Sequence, residues 1–409
     1  MTTWNSAVAS LAGRTSSWGH LATFYLGCLL AAGSYGLTLL LPSLVKAAGG
    51  GPAQAGLIYW CGACGAGGAL LLSGRLSQRI GAGWSAAAGS VLYALATAVL
   101  AEGGARGGIA YAAGVLLGAG WALFFTCAPI IALAMPGPGR ADRRFLVLAG
   151  FNALGIGVGP VAGQLLVAHG VSYRDLFAVA ALGSLGSGAL FCLVASRAHP
   201  SAADRAGHAA RGVLGPVRLL LASQARPFVL MAGLGACVFT TMTTYQATLA
   251  AAAGLNPSVF YLCYTLGAII PRFTVAGVLA RYSPAATTTV LLAGMCLSLA
   301  GFMLADHRVT CYAASSTLLG VTYGLAYPLL QAQAASAVPV GFRPWSLWYF
   351  SLAYFAGLYG FPLMAGTVID LGGYRALIAV LLTIAVLELA LSVKTRATGR
   401  VAQAEEWPR

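Results

Sequence analysis

The sequence offers few groups able to do chemistry, because ionisable side chains are rare within its apolar stretches. Arg272 stands midway along one such stretch, directly after Pro271, and Tyr261, Tyr264 and Ala268 share its face at helical spacing. An arginine near a bilayer centre costs about 2.5–3.5 kcal/mol, so it needs compensation. That compensation is either an anionic group on a bound solute, or backbone carbonyls freed at Pro271 together with a reach toward the water boundary. Glu388 is the only carboxylate well inside an apolar stretch, since Glu102, Asp175, Asp306 and Asp370 lie at stretch ends. A buried carboxyl of this kind is a candidate carrier of a coupling proton. Hydroxyls, amides and rings recur at regular spacing elsewhere. Tyr323, Tyr327 and Gln331 stand at i, i+4 and i+8, with Trp121 and Phe125 at matching positions of an earlier stretch. A run from Thr240 through Thr241, Met242, Thr243 and Thr244 to Tyr245 and Gln246 adds hydrogen-bonding groups, as do Ser34, Tyr35 and Thr38. Cys61 and Cys64 form a lone CxxC pair, and the nine cysteines are otherwise scattered through apolar runs, as small buried hydrophobes are.

The elements that must position these groups are membrane-spanning helices. The chain has 409 residues, 59% hydrophobic and only 8% charged, against about 25% charged in soluble domains, which excludes a soluble fold. Apolar runs long enough to cross about 30 Å of hydrocarbon follow one another, and the weakly alternating segments of an outer-membrane barrel are absent. The reading is an all-α membrane protein with spans at 19–45, 52–74, 83–102, 107–135, 144–168, 174–196, 224–252, 257–281, 285–305, 309–336, 344–369 and 374–394. Polar residues 197–223 between the sixth and seventh spans read as a linker. A net charge of +14 would suggest a nucleic-acid partner if the basic residues formed a stripe. Instead Arg75, Arg79, Arg140, Arg143, Arg144, Arg205, Arg211, Arg218, Arg281, Arg343, Lys394, Arg396 and Arg400 fall on one side. Lys46, Arg106, Arg174, Arg308 and Arg375 fall on the other. The positive-inside rule then puts both termini and the linker in the cytoplasm, accounts for the charge, and leaves no nucleic-acid partner expected. Residues 1–18 lack the pattern of a cleaved leader.

The chain also repeats itself at an offset of about 202 residues. Leu116 to Phe125 aligns with Leu318 to Tyr327, Tyr173 to Val179 with Tyr374 to Val380, and Gly74-Arg75-Leu76 with Gly277-Val278-Leu279. Two halves of six spans each share one orientation because six is even. The expected division is 1–196 as an N-terminal six-helix bundle, 197–223 as a cytoplasmic linker, and 224–409 as a C-terminal six-helix bundle with a short tail. This arrangement resembles the major facilitator superfamily of secondary transporters over nearly the whole chain. Gly74-Arg75-Leu76-Ser77-Gln78-Arg79-Ile80-Gly81 is similar to its signature loop, Gly-x-Leu-Ala-Asp-Arg-x-Gly, with Ser77 where the aspartate usually stands and Arg79 and Gly81 in place. The stretch Gly155-Ile156-Gly157-Val158-Gly159-Pro160-Val161-Ala162-Gly163 resembles the glycine-proline motif of the antiporter branches, and Gly357, Gly360, Pro362 and Gly366 echo it. Close packing of small residues is the plain alternative.

The resemblance implies a solute site between the halves, lined by spans 1, 4, 7 and 10. Candidate binding residues are then Tyr35, Trp121, Phe125, Thr241, Tyr245, Gln246, Tyr264, Arg272, Tyr323, Tyr327 and Gln331. Rings with a few polar groups suit a modest amphipathic organic molecule. Gly74, Arg79, Gly81, Gly155, Gly159, Pro160 and Gly163 are the expected conformational residues. Span 12 is peripheral in this fold, which favours a solvated or interfacial Glu388 over a proton carrier. The function expected is secondary active transport of a small organic molecule by alternating access in the cytoplasmic membrane, as proton-coupled efflux (antiport), with proton-coupled uptake of an anionic metabolite or siderophore as the alternative. A non-transporting receptor is the alternative of another class. All five histidines lie in loops or near span ends, so no catalytic residue and no enzyme activity are expected. Met242 lacks the methionine and histidine partners that Cu(I) would need, and no channel filter is evident. The expected partners are a small solute, protons and lipid, with the chain a monomer that has no cofactor and no metal ion.

Overall fold

The computed structural model describes residues 2–103, 107–135, 141–197, 223–274, 281–305, 308–339 and 342–405. The linker with Arg205, Arg211 and Arg218, as well as Arg106, Arg140, Asp306 and the Gly277-Val278-Leu279 copy of the repeat, lie outside the described residues. The described chain is almost wholly helical, and helices stand at every expected span: α1 (Thr2–Thr38), α2 (Leu41–Ala47), α3 (Pro52–Ile80), α4 (Ala82–Gly103), α5 (Gly108–Ala134), α6 (Ala141–Ala168), α7 (Tyr173–Arg197), α8 (Arg226–Thr244), α9 (Gln246–Ala252), α10 (Pro257–Thr274), α11 (Pro284–Ala305), α12 (Val309–Ser336), α13 (Arg343–Phe355), a π turn (Ala356–Gly360), and α14 (Phe361–Glu405). Helix starts follow local chemistry. Pro52, Pro257 and Pro284 open α3, α10 and α11, where a missing N–H costs nothing.

Two spans expected to be continuous are broken. Span 1 stops at Thr38 and restarts at Leu41, where the Thr38 hydroxyl bonds the Tyr35 carbonyl and Pro42 sits in the new first turn. Span 7 breaks at Tyr245, whose backbone (φ −89°, ψ 1°) leaves the helical region while its hydroxyl is held by two other helices. Within α14 the end of span 11 and the whole of span 12 are separated by a kink at Gly373, whose φ of 73° suits a residue without a side chain.

Among the described residues, nine segments are long and apolar enough to cross a membrane, and one of them, 345–397, holds both of the last two spans. The segments α10 and α12 are not among these. They carry Arg272 and the tyrosines, hydroxyls and amides that interior packing must accommodate.

Helix pairing repeats between the halves. Helix α3 packs on α5, α4 on α5 and α7, and α1 on α6 and α7; correspondingly α10 packs on α12, α11 on α12 and α14, and α8 on α13 and α14. The closest approaches keep the sequence offset. A methyl group added at Gly65 would sit 1.9 Å from the Val115 oxygen, and one at Gly267 would sit 2.5 Å from the Thr317 oxygen, with both residues of each pair advanced by 202. Such glycines let backbones touch, which is what joins helices in a solvent as apolar as their side chains.

The halves meet along α3 with α14 and along α6 with α10. At the face opposite the termini, here called the distal face, added methyl groups at Gly56 and Gly366 would lie 2.2 Å from the Pro362 oxygen and 2.4 Å from the Pro52 oxygen. Tyr245 donates there to the carbonyls of Pro52 at 3.0 Å and Pro362 at 2.9 Å, tying three helices with one hydroxyl. Asp370 Oδ2 accepts from the Ala53 N–H at 3.1 Å, so a carboxylate of one half caps the first turn of a helix in the other.

Candidate functional site

A chain of aromatic rings crosses from one half to the other. Tyr35 of α1 stacks on Trp121 of α5 with centroids 4.1 Å apart, and Phe125, a turn further along α5, meets Tyr354 at 6.1 Å and Phe355 at 5.6 Å. Tyr354 lies 4.9 Å from Tyr327 of α12, which is followed by Tyr323 at 6.2 Å. Tyr323 stacks almost parallel on Phe239 of α8 at 4.9 Å, and Phe239 reaches Tyr264 of α10 at 6.3 Å. Each ring presents an apolar face to its neighbour, and each phenol adds one hydroxyl at its edge.

The hydroxyls of Tyr327 and Tyr359, which belong to rings of this region, are buried and lack a hydrogen-bond partner among the described residues, and so does the Thr241 hydroxyl, two residues beyond Phe239 on α8. Such groups cost about 1–3 kcal/mol each when left unpaired, so these hydroxyls leave the region able to take a polar partner. The π turn contributes to it. Its extra residue per turn frees backbone groups, and the Thr240 hydroxyl caps the Leu358 carbonyl at 2.8 Å.

Arg272 carries the charge of the site. Its Nε donates to the Gly324 carbonyl of α12 at 3.1 Å. Residue 328 is proline, so the amide that would normally bond the Gly324 oxygen in α12 is missing, and the guanidinium takes its place. This is a backbone carbonyl, as one expectation held, but it belongs to the neighbouring helix and is freed by Pro328. The remaining guanidinium N–H groups have no hydrogen-bond acceptor among the described residues, and Tyr264 and Tyr323 are its electrostatic neighbours.

Of the other candidates, Gln331 is half-buried on α12 beyond Tyr327. Tyr245 and Gln246 sit at the distal junction. The Tyr245 hydroxyl is engaged by Pro52 and Pro362, and Gln246 Nε2 donates to the Tyr312 hydroxyl at 2.7 Å. Gly81 ends α3 with φ 87° and bonds the Ser77 oxygen at 2.9 Å; Gly74 is half-buried and Arg79 exposed. Ser77, at the position of the usual aspartate, lies 3.5 Å from the Cys127 sulfur of α5. Methyl groups added at Gly155, Gly159 and Gly163 would meet Ala32 at 2.6 Å, the Gly33 oxygen at 2.6 Å and Leu40 at 2.8 Å, and Pro160 lies inside the same helix α6. Cys61 and Cys64 are both unbonded, the latter exposed.

Glu388 corrects the expectation of a solvated or interfacial carboxylate. It is 1% exposed, inside the second half. A span at the rim of a bundle still has an inner face, and Gly235 of α8 leaves room for the carboxyl there. Phe239, Tyr354, Phe355 and Tyr359 were not singled out from sequence, because the family pattern directs attention to spans 1, 4, 7 and 10. The aromatic spacing of Tyr354, Phe355 and Tyr359 was the available signal.

Comparison with known proteins agrees with this architecture. None of the curated proteins matches the chain in sequence. Among solved structures, a variant of the nucleoside transporter NupG superposes with a TM-score of 0.76 at 13% identity, covering 92% of this chain and 99% of that one. NupG itself gives 0.71 at 15% identity over 92% and 98%. A variant of the peptide transporter POT gives 0.68 at 16% identity over 93% and 94%. At these identities the likeness shows the fold alone. Residues 23–357 match the Major Facilitator Superfamily, and the chain belongs to that family of multi-pass membrane transporters.

Proposed function

We propose that this secondary transporter carries a small aromatic or amphipathic solute with an anionic or zwitterionic group, and exports it across the cytoplasmic membrane in exchange for protons. The observation that carries the reading is Arg272: one N–H is spent on the Gly324 carbonyl, and its electrostatic neighbours Tyr264 and Tyr323 belong to the chain of rings. Phe125, Thr241, Tyr264, Tyr323 and Tyr327 flank the solute in this proposal, with Tyr35 and Trp121 backing Phe125. Solved structures of similar fold are transporters of nucleosides and of peptides, solutes of comparable size. The direction rests on the Gly155 to Gly163 stretch, whose close fit against α1 suits a helix that rocks on its neighbour.

Exchange of radiolabelled p-aminohippurate, an aromatic anion, and of its uncharged amide across proteoliposomes tests this. Arg272→Gln should slow the anion about ten-fold or more, the worth of a charged hydrogen bond, and the amide far less. Equal losses would assign Arg272 to helix packing alone, and absence of flux in the wild type would favour a receptor. Accumulation under a pH gradient of either sign tests export against import.

A further inference from the structure

Resting on that reading, we infer that Glu388 is the group that carries the coupling proton, held against the same face of α8 that presents Phe239 to the solute site. The residue lies within the apolar stretch 374–394 that follows Gly373 in α14. Its side chain is 1% exposed and turns toward α8, where a methyl group added at Gly235 would stand 3.1 Å from Oε1. One turn along α8 from Gly235 is Phe239, which stacks on Tyr323, and Thr241 follows. Residues four apart share a helix face, so the carboxyl and the Phe239 ring contact α8 about one 5.4 Å turn apart.

The groups facing Glu388 are few. From α8 comes the Cys237 thiol and from α11 the Cys296 thiol. On α14 itself Ser392, a turn further on, is engaged with Thr289 at 2.9 Å. The nearest basic residues along these helices, Arg226 and Lys394, are exposed toward helix ends. Among the described residues no cation pairs with Glu388, and Oε2 has no hydrogen-bond partner. A carboxylate in such a place would be an uncompensated buried charge, so the state described holds the neutral acid. A well-packed leucine would suit the same space without an orphaned oxygen. The carboxyl becomes useful when α8 moves: with the halves rearranged, water reaches Oε2, which gives up its proton to that water and later takes one from water on the opposite side. Because α8 is broken at Tyr245 and packed on both α13 and α14, its movement changes the solute site and the surroundings of Glu388 together.

Two measurements on purified full-length protein test this. Infrared difference spectra of wild type against Glu388→Gln should show the C=O band of a protonated carboxyl that only the wild type has; the described residues Glu102, Asp175 and Asp370 are exposed and contribute no such buried band. In proteoliposomes, Glu388→Gln should keep p-aminohippurate exchange within about two-fold while accumulation driven by an imposed pH gradient falls about ten-fold, the scale of coupling between linked sites. Unchanged gradient-driven accumulation, or a wild type without the band, overturns the inference. Wild type that exchanges nothing refutes the transport reading and the coupling with it; wild type that exchanges, with an unaltered gradient response in Glu388→Gln, refutes the coupling alone. If the glutamine variant does not reach the membrane, Gly235→Ala serves instead. Its methyl group should shift the band and reduce gradient-driven accumulation while exchange persists, and a normal gradient response would overturn the inference.

Discussion

Tyr245→Phe isolates what one hydroxyl does to the balance between conformations. The hydroxyl spans 3.0 Å to the Pro52 carbonyl of α3 and 2.9 Å to the Pro362 carbonyl of α14, so it links the two halves and the break between α8 and α9. It has one proton to donate, and the two acceptors share it. Both carbonyls lie in the first turns of helices, where they also accept intrahelical bonds, so their loss leaves neither fully orphaned. The removal is therefore worth about 1 kcal/mol, the middle of the range for one neutral hydrogen bond. The ring stays, and with it the packing of a side chain only 1% exposed. If the distal face opens during transport, that energy raises the population of the open form about five-fold. Spin labels at positions 46 and 371, both exposed at the distal face, report the opening as a longer distance in a cysteine-depleted protein. A distance distribution identical to that of the parent would refute the idea that Tyr245 holds this face shut. Equal loss of stability and of opening control, in a protein that unfolds at lower temperature, would reduce it to a packing residue.

Arg79→Ala should slow exchange several-fold at unchanged membrane levels, because the side chain is exposed and buries nothing; equal flux at equal amounts would contradict this. Gly65→Ala should lower the melting temperature of the purified protein or abolish its accumulation, since its methyl group would overlap the Val115 oxygen, and overpacking costs about 1–3 kcal/mol. Gly67→Ala, which meets nothing within 4 Å, should be neutral or slightly stabilising, gaining up to about 1 kcal/mol of helix propensity. Asp370→Asn should weaken the cap on Ala53 and open the distal face less than Tyr245→Phe does, because its contact is exposed to water; the same pair of spin labels measures it.

Helix positions were legible because an apolar run of about 20 residues has one economical structure in lipid. The repeat was legible because backbone contact demands small residues at fixed places, so Gly118 and Gly320 keep their places in the aligned stretches Leu116 to Phe125 and Leu318 to Tyr327. The break at Tyr245 was not, since no proline or glycine marks it and its cause is a hydroxyl held by distant helices. Glu388 was misjudged for a related reason: sequence shows which span carries a charge, but the side it faces depends on Gly235, more than a hundred residues earlier. Arg272 was recognised as expensive, yet the carbonyl that receives it lies on α12. The four-residue interval from Gly324 to Pro328 can be read in the sequence; its proximity to Arg272 requires the fold.

That interval has a consequence for how such a protein changes over generations. Pro328 touches the solute in no part of the proposal, but by withholding an amide it keeps the Gly324 oxygen hungry and Arg272 anchored. Exchange of Pro328 for alanine would let the backbone satisfy itself and set the guanidinium adrift, whereas loss of Arg272 would leave a kinked helix with a bare carbonyl. The two positions are thus bound in a mutual dependence, where a neutral drift at one decides which substitutions the other can survive. On the proposed role of Arg272, solute preference can accordingly be altered from a residue outside the solute's reach.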